Sequence, residues 1–90
     1  MSPAPPGKMT IEEFEALAAQ FKRQCEQTHM YYRTWRLLAE SQDASKIFSP
    51  EEVQDYRKQV DQARAQLRRL YRLIERVTGK DLAPLELYYV

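Results

Sequence analysis

Cys25 and His29 are the residues whose types and spacing could support catalysis in this 90-residue chain. They stand four positions apart, so a helix would place both side chains on one face, where an imidazole can activate a thiolate. The same helix would also carry Cys25 into the apolar seam described below, where burial raises the pKa of a thiol. One Cys and one His cannot form a closed zinc site. We therefore predict no catalytic residue, no metal and no cofactor, and a chain that is not an enzyme.

A cluster of arginines is the second chemical feature. Five of them fall within the fourteen residues from Arg64 to Val77, with a single acid, Glu75, although the whole chain has a net charge of only +1. Guanidinium groups on a helix can bind phosphates or an acidic protein surface. Near a helix C-terminus they also complement the helix dipole as an ordinary solvated face, which is the commoner arrangement. The predicted anion or acidic-partner face consists of Arg64, Arg68, Arg69, Arg72 and Arg76.

Composition indicates one small helical domain. The sequence is 43% hydrophobic and 30% charged, and it has only two glycines. A single cysteine excludes an internal disulfide, which favours an intracellular location in the cytoplasm or nucleus. No apolar run approaches the ~20 residues that a membrane span needs, and the N-terminus has no secretory signal. Residues 1–9, which include "PAPP", are predicted to be a disordered Pro-rich arm.

Two complete sets of helix-start signals occur in the chain. Thr10 followed by Glu13 predicts one capping box, and Ser49 followed by Glu52, with Pro50 between them, predicts another. Gly79 has the character of a residue that follows a helix end. These signals predict a helical domain over 10–79, with helices at 11–41 and 50–78 and a loop at 42–49.

Both predicted helices carry an apolar heptad, which is typical of a left-handed seam between helices. Because the connection is short, the two helices should be antiparallel neighbours. The two heptads stay in step along their whole length and place Thr28 opposite Ala63, a thin layer that either admits a third element or draws the helices together. The predicted fold is all-α, an antiparallel two-helix coiled-coil hairpin. The seam residues are Ile11, Phe14, Ala18, Phe21, Cys25, Thr28, Tyr32, Trp35 and Ala39 in the first helix, and Val53, Tyr56, Val60, Ala63, Leu67, Leu70, Ile74 and Val77 in the second.

The two flanks of this seam differ. With Ile11 and Val53 as heptad position a, the g positions of the two helices form one flank, the g-edge, which is largely apolar or neutral. A stripe this wide is typical of a bundle rather than of a single seam. We expect a second copy or a different helical partner to complete a four-helix bundle, or the apolar tail, residues 80–90, to pack back or bind a partner. The predicted partner-binding residues are Leu17, Met30, Tyr31, Leu37, Leu38 and Leu73.

The e positions form the opposite flank, the e-edge, which is basic. It places Arg36 beside Arg57 and His29 beside Arg64, and it also carries Lys22. Acidic residues one turn further along could balance several of these charges. The predicted ion pairs are Lys22–Glu26, Arg36–Glu40 and Arg57–Asp61.

These features predict a non-catalytic protein–protein interaction module. It would act as an oligomeric scaffold, an adaptor or a small subunit of a larger complex, and it would bind through the apolar g-edge. The alternative is a helical hairpin that binds nucleic acid or an acidic partner with the outward arginines of the second helix. Neither alternative involves a small-molecule substrate or a membrane span.

Overall fold

The capping signals of the sequence define the two long helices of the protein. The computed structural model describes residues 9–90. Thr10 and Glu13 form a complete capping box at the start of helix α1, Ile11–Glu40, and Ser49 and Glu52 form one at the start of helix α3, Pro50–Thr78. Gly79 follows α3 with φ at +65°, a left-handed conformation that residues with a Cβ rarely adopt. Both predicted capping boxes and the predicted glycine stop are thus confirmed.

The connection between the long helices is not the open loop predicted for residues 42–49. A short helix α2, Gln42–Ile47, fills most of it. The Ser41 hydroxyl accepts a hydrogen bond from the backbone N–H of Ala44, so Ser41 caps α2 immediately after α1 ends. The polar stretch "ESQDASK" therefore contains a helix start of its own.

Helices α1 and α3 pack against each other along their length in antiparallel directions. Side-chain contacts at three levels show the direction: Phe21 meets Tyr71, Thr28 meets Ala63, and Tyr31 meets Tyr56. The all-α class and the pairing of two long helices are therefore confirmed. The most deeply buried seam residues of α3 are Val60, Ala63 and Leu67.

Not every predicted seam residue is buried. Ile11 is 78% exposed, and Ala18 and Ala39 are exposed as well. Ile11 is the first residue of α1, where the facing helix is close to its own end at Thr78. Ala18 and Ala39 lie toward the two ends of α1. The contact is therefore concentrated between these positions, around Thr28.

The layer of Thr28 and Ala63 is a constriction. The Thr28 side chain is fully buried, and its Oγ1 lies 2.7 Å from the Gln24 carbonyl oxygen and 3.3 Å from the Ala63 carbonyl oxygen of the facing helix. Gln24 Nε2 donates to the same Ala63 carbonyl at 3.2 Å. A side chain as small as Ala63 lets α1 approach the α3 backbone closely enough for these contacts. The sequence left open whether this thin layer admits a third element or draws the helices together. The structure shows that the helices approach closely.

The remaining described residues form the tail, which follows Gly79 and contains a 3₁₀ turn at Leu85–Tyr88. The chain is elongated, with extents of 54 × 28 × 18 Å. Because one helix with its side chains is about 10–12 Å across, the smallest extent allows little more than one helical layer. The predicted N-terminal arm falls almost entirely on residues 1–8, which lie outside the described residues.

The constriction predicts how substitutions in this layer affect stability. Ala63→Leu forces the helices apart and should lower the free energy of unfolding by about 1–3 kcal/mol. Thr28→Val keeps the shape but removes the hydroxyl, and we expect a loss of about 1 kcal/mol. Urea unfolding followed by circular dichroism measures both. Ala65→Leu, at an exposed position of α3, is the matched control, and equal stability of the two leucine variants would contradict the constriction.

Candidate functional site

The tail packs on the e-edge of the hairpin. Tyr89 is buried, with 3% of its surface exposed, and its ring meets Tyr32 edge to face with 5.8 Å between ring centroids. The Arg64 guanidinium lies over the other side of this contact, 5.6 Å from the Tyr89 ring centroid. His29 Nδ1 lies 3.0 Å from the Tyr89 carbonyl oxygen. Since a carbonyl only accepts, Nδ1 carries the hydrogen and donates.

A second aromatic contact holds the tail near the open end of the hairpin. The Tyr88 ring packs edge to face against Phe21, at 5.3 Å, and against Tyr71, at 6.2 Å. The Tyr71 hydroxyl donates towards the carbonyl oxygens of Leu82, at 3.1 Å, and Ala83, at 2.5 Å. Burial, and then the negative charge of Glu75, raise the pKa of Tyr71, so its hydroxyl keeps the hydrogen that this contact requires.

The tail therefore covers the basic edge rather than the apolar one. The sequence suggested the tail as one possible cover for the g-edge, but Tyr89 lies between His29 and Arg64, both on the e-edge. His29 and Arg64, which were predicted to lie side by side, both contact Tyr89. Arg64 contacts the Tyr89 ring, and His29 contacts the Tyr89 backbone carbonyl. Among residues 9–90, no aromatic contact or hydrogen bond joins the tail to the g-edge.

Two other basic side chains of the e-edge rest on aromatic rings. Arg57 lies 4.8 Å from the Trp35 ring centroid, and Arg36 lies 5.9 Å from that of Tyr32. Of the three predicted ion pairs, Arg36–Glu40 is present at 3.1 Å. The pairs Lys22–Glu26 and Arg57–Asp61 do not form in the described part of the chain, and Arg57 contacts Trp35 instead.

No hydrogen bond joins Cys25 and His29 in the described part of the chain. The ring nitrogen Nδ1 of His29 is turned to the tail carbonyl of Tyr89. Burial, with a smaller effect from the Glu26 carboxylate, raises the pKa of the Cys25 thiol above its ordinary value. A protonated thiol is a weak nucleophile. Within residues 9–90, no three His, Cys, Asp or Glu side chains are grouped closely enough to hold a metal ion.

The five outward arginines do not share one face. Arg64 is half-buried against Tyr89 on the e-edge, so it is not part of an open anion-binding surface. Arg69, Arg72 and Arg76 instead line one depression of about 330 Å³ around Leu73. No ion pair involves these three among the described residues. The predicted anion face is thus reduced to this trio, with Arg68 exposed elsewhere on the helix surface.

The six predicted partner-binding residues have different environments. Leu17 is only 7% exposed, so it belongs to the internal core and its predicted role at the surface needs correction. Tyr31 and Leu38 are half-buried, whereas Met30 and Leu37 are 58% and 68% exposed. Leu73 is 37% exposed but lies among the arginines near the other end of the hairpin. The sequence-based set is therefore divided between the core and two separate surface regions.

Four of these residues form one surface near the connection between the helices. Met30 and Leu37, like Tyr31 and Leu38, are seven positions apart and recur on one side of α1. Phe48, 39% exposed, extends this side past the end of α1. Together these five residues form what we call the closed-end surface.

Two shallow hollows lie within and beside the closed-end surface. One, of about 350 Å³, is lined by Thr34, Leu38, Phe48, Glu52, Val53 and Tyr56. The other, of about 330 Å³, also has Leu38, Phe48 and Val53 in its wall. The predicted partner-binding residues included neither Phe48 nor Val53, so sequence reasoning missed their place in this surface. The positions of Phe48 and Val53 around Pro50 indicate a helix start. They do not indicate that α2 leaves both side chains accessible in the hollows.

Comparison with protein families, characterised proteins and solved structures finds no match to this chain. None of the helices in the described residues is both long enough and apolar enough to cross a membrane. The description of function therefore depends on the surfaces of the hairpin.

The tail contact predicts a large difference between two tail substitutions. Tyr89→Ala removes a buried ring together with its contacts to Tyr32 and Arg64, and it should cost roughly 2–3 kcal/mol of stability. Leu87→Ala alters a side chain that is 73% exposed and should change stability by less than about 0.5 kcal/mol. Thermal unfolding measures both variants. Equal stability of the two would show that the tail does not contribute to the fold.

The raised pKa of Cys25 predicts slow reaction with a thiol reagent at neutral pH. The rate should increase as the pH rises through the raised pKa, because only then does the thiolate accumulate. A stopped-flow disulfide-exchange assay measures it, with Ala65→Cys in a Cys25→Ser background as the exposed control. Faster labelling of Cys25 than of the control at neutral pH would contradict a raised thiol pKa at this position.

Proposed function

We propose that this chain is a non-catalytic protein–protein interaction module, an adaptor or scaffold subunit, which binds its partner through the closed-end surface. The observation that carries the proposal is that Met30 and Leu37 are 58% and 68% exposed on the same helix as Leu38, which lines two hollows made mainly of apolar side chains. Contiguous exposed apolar residues rimmed by polar ones are typical of protein-binding sites.

The arrangement of the tail supports the choice of this surface. The tail already occupies the e-edge, where Tyr89 is buried, so that edge offers little free apolar area. Tyr31 and Leu38 of the closed-end surface lie on the opposite edge, and Met30 and Leu37 lie next to them on the outward side of α1. A partner helix there could insert side chains into the hollows beside Leu38 and Phe48, as large apolar anchors do at interfaces.

A protein partner has more support than a nucleic acid. The alternative function relied on five arginines acting together, but Arg64 is held at Tyr89 and only Arg69, Arg72 and Arg76 line a common depression. Three charges give weak phosphate binding at physiological salt. These arginines suit orientation and recognition of an acidic protein segment better, since charges around an interface chiefly affect specificity and association rate.

Site-specific photo-crosslinking tests the proposed surface. A benzophenone side chain at position 37 should give one discrete cross-linked species, either with another copy of the chain or with a different protein. The same group at position 65, on the exposed outer face of α3, is the control and should give none.

The specificity of this cross-link is tested with two matched variants. Met30→Glu with Leu38→Glu should abolish it, because two charges then replace apolar anchors, whereas Leu87→Glu on the tail should leave it intact. Circular dichroism establishes that each variant keeps its helices. Equal cross-linking from positions 37 and 65, or a cross-link that survives the double variant, would contradict the proposed surface.

A further inference from the structure

The exposed side of α3 that adjoins the g-edge carries charges of opposite sign at its two ends. Glu51, Glu52 and Asp55 occupy its first turns, and the arginine trio around Leu73 occupies its last turns. Lys58 pairs with Asp55 at 3.4 Å, so the N-terminal end keeps an excess of negative charge. The exposed residues between the two ends are neutral glutamines: Gln59, Gln62 and Gln66.

Two copies of α3 that lie antiparallel have complementary charges, because the acidic end of each copy faces the basic end of the other. Asp55 and Arg69 each stand seven residues from Gln62, and Glu52 and Arg72 each stand ten residues from it. A second α3 laid antiparallel on the first, with a twofold axis at Gln62, therefore places acid opposite base in both halves of the contact. A twofold interface requires this self-complementarity.

The apolar features match under the same rotation. Leu73, 37% exposed within its arginine-lined depression, comes to the level of Glu51 on the other copy. That level adjoins the hollow whose wall includes Glu52, Val53 and Leu38. One partly exposed leucine surrounded by bases thus comes to the level of one apolar hollow bordered by the acid Glu52, and the contact occurs twice.

We propose that the partner is a second copy of this chain, which packs antiparallel through α3 and the g-edge to form a four-helix bundle. The inference rests on the proposed function and names its partner. The hollow beside Leu38 and Phe48 of each copy then lies against the arginine-lined end of the other. Orientation is set by the reversed charge order, because the opposite orientation of two α3 helices would place like charges together.

Charge reversal with mixing tests this arrangement. One variant carries Glu51→Lys and Asp55→Lys, and the other carries Arg69→Glu and Arg76→Glu; Glu52 is kept because its side chain completes the α3 capping box. Each variant alone sets like charges against each other in both halves of the contact. Its dimer dissociation constant should therefore rise by at least roughly tenfold.

An equimolar mixture should restore the dimer, since lysines then face glutamates in one half and the native acids face the native arginines in the other. Light scattering on a size-exclusion column gives the mass of each sample. A wild-type chain that stays monomeric overturns the inference, as does a mixture that fails to recover. In the first case a cross-link from position 37 to a different protein would leave the proposed function intact.

A cysteine at the proposed axis provides a test that leaves all charges unchanged. In a Cys25→Ser background, Gln62→Cys should oxidise to a covalent dimer, because residues on the axis bring their Cα atoms within disulfide range. Ala65→Cys, one turn away on the outer face, should remain monomeric under the same oxidation. Equal yields from the two positions, or more from position 65, would exclude this pairing of α3 helices.

Discussion

The close approach of the two long helices at Thr28 and Ala63 is the constraint on which the rest of the structure depends. A threonine hydroxyl and a glutamine amide of α1 both reach the same carbonyl oxygen of α3, at 3.3 and 3.2 Å. A polar contact inside an apolar seam favours one register, because a slip would break both interhelical hydrogen bonds to the Ala63 carbonyl. Once this register is fixed, every residue of α1 has a defined neighbour on α3, and the hairpin acquires two distinct edges.

The two edges then have different roles. On the e-edge, the fixed register brings His29 and Arg64 to one level, and their spacing accepts Tyr89 between them. The Tyr89 ring lies against the positively charged Arg64 guanidinium, and the Tyr89 carbonyl oxygen accepts a hydrogen bond from His29. On the g-edge, no tail residue fills the hollows beside Leu38 and Phe48. The chain thus closes one edge by itself and keeps apolar surface on the other.

Much of the fold follows from local signals, whereas the site depends on contacts distant in sequence. Thr10 with Glu13 and Ser49 with Glu52 predicted the helix starts, since a capping box involves only neighbouring residues. The heptads predicted the seam but not the burial of Leu17 or the exposure of Ile11, which depend on where the facing helix lies. The choice of edge by the tail could not be predicted, because Leu82 to Val90 is apolar enough for either edge. Nor could the closed-end surface, since it requires the turn of α2 after the Ser41 cap.

Self-association is the central claim of this account, and sedimentation equilibrium of the unmodified chain tests it most directly. A dilution series at low and high salt gives the mass of the particle without any substitution. We expect a particle of twice the 10.7 kDa chain mass. This dimer should dissociate on dilution. In high salt it should dissociate at a higher protein concentration, because the paired charges are screened. A mass of one chain at every concentration and both salts would contradict it.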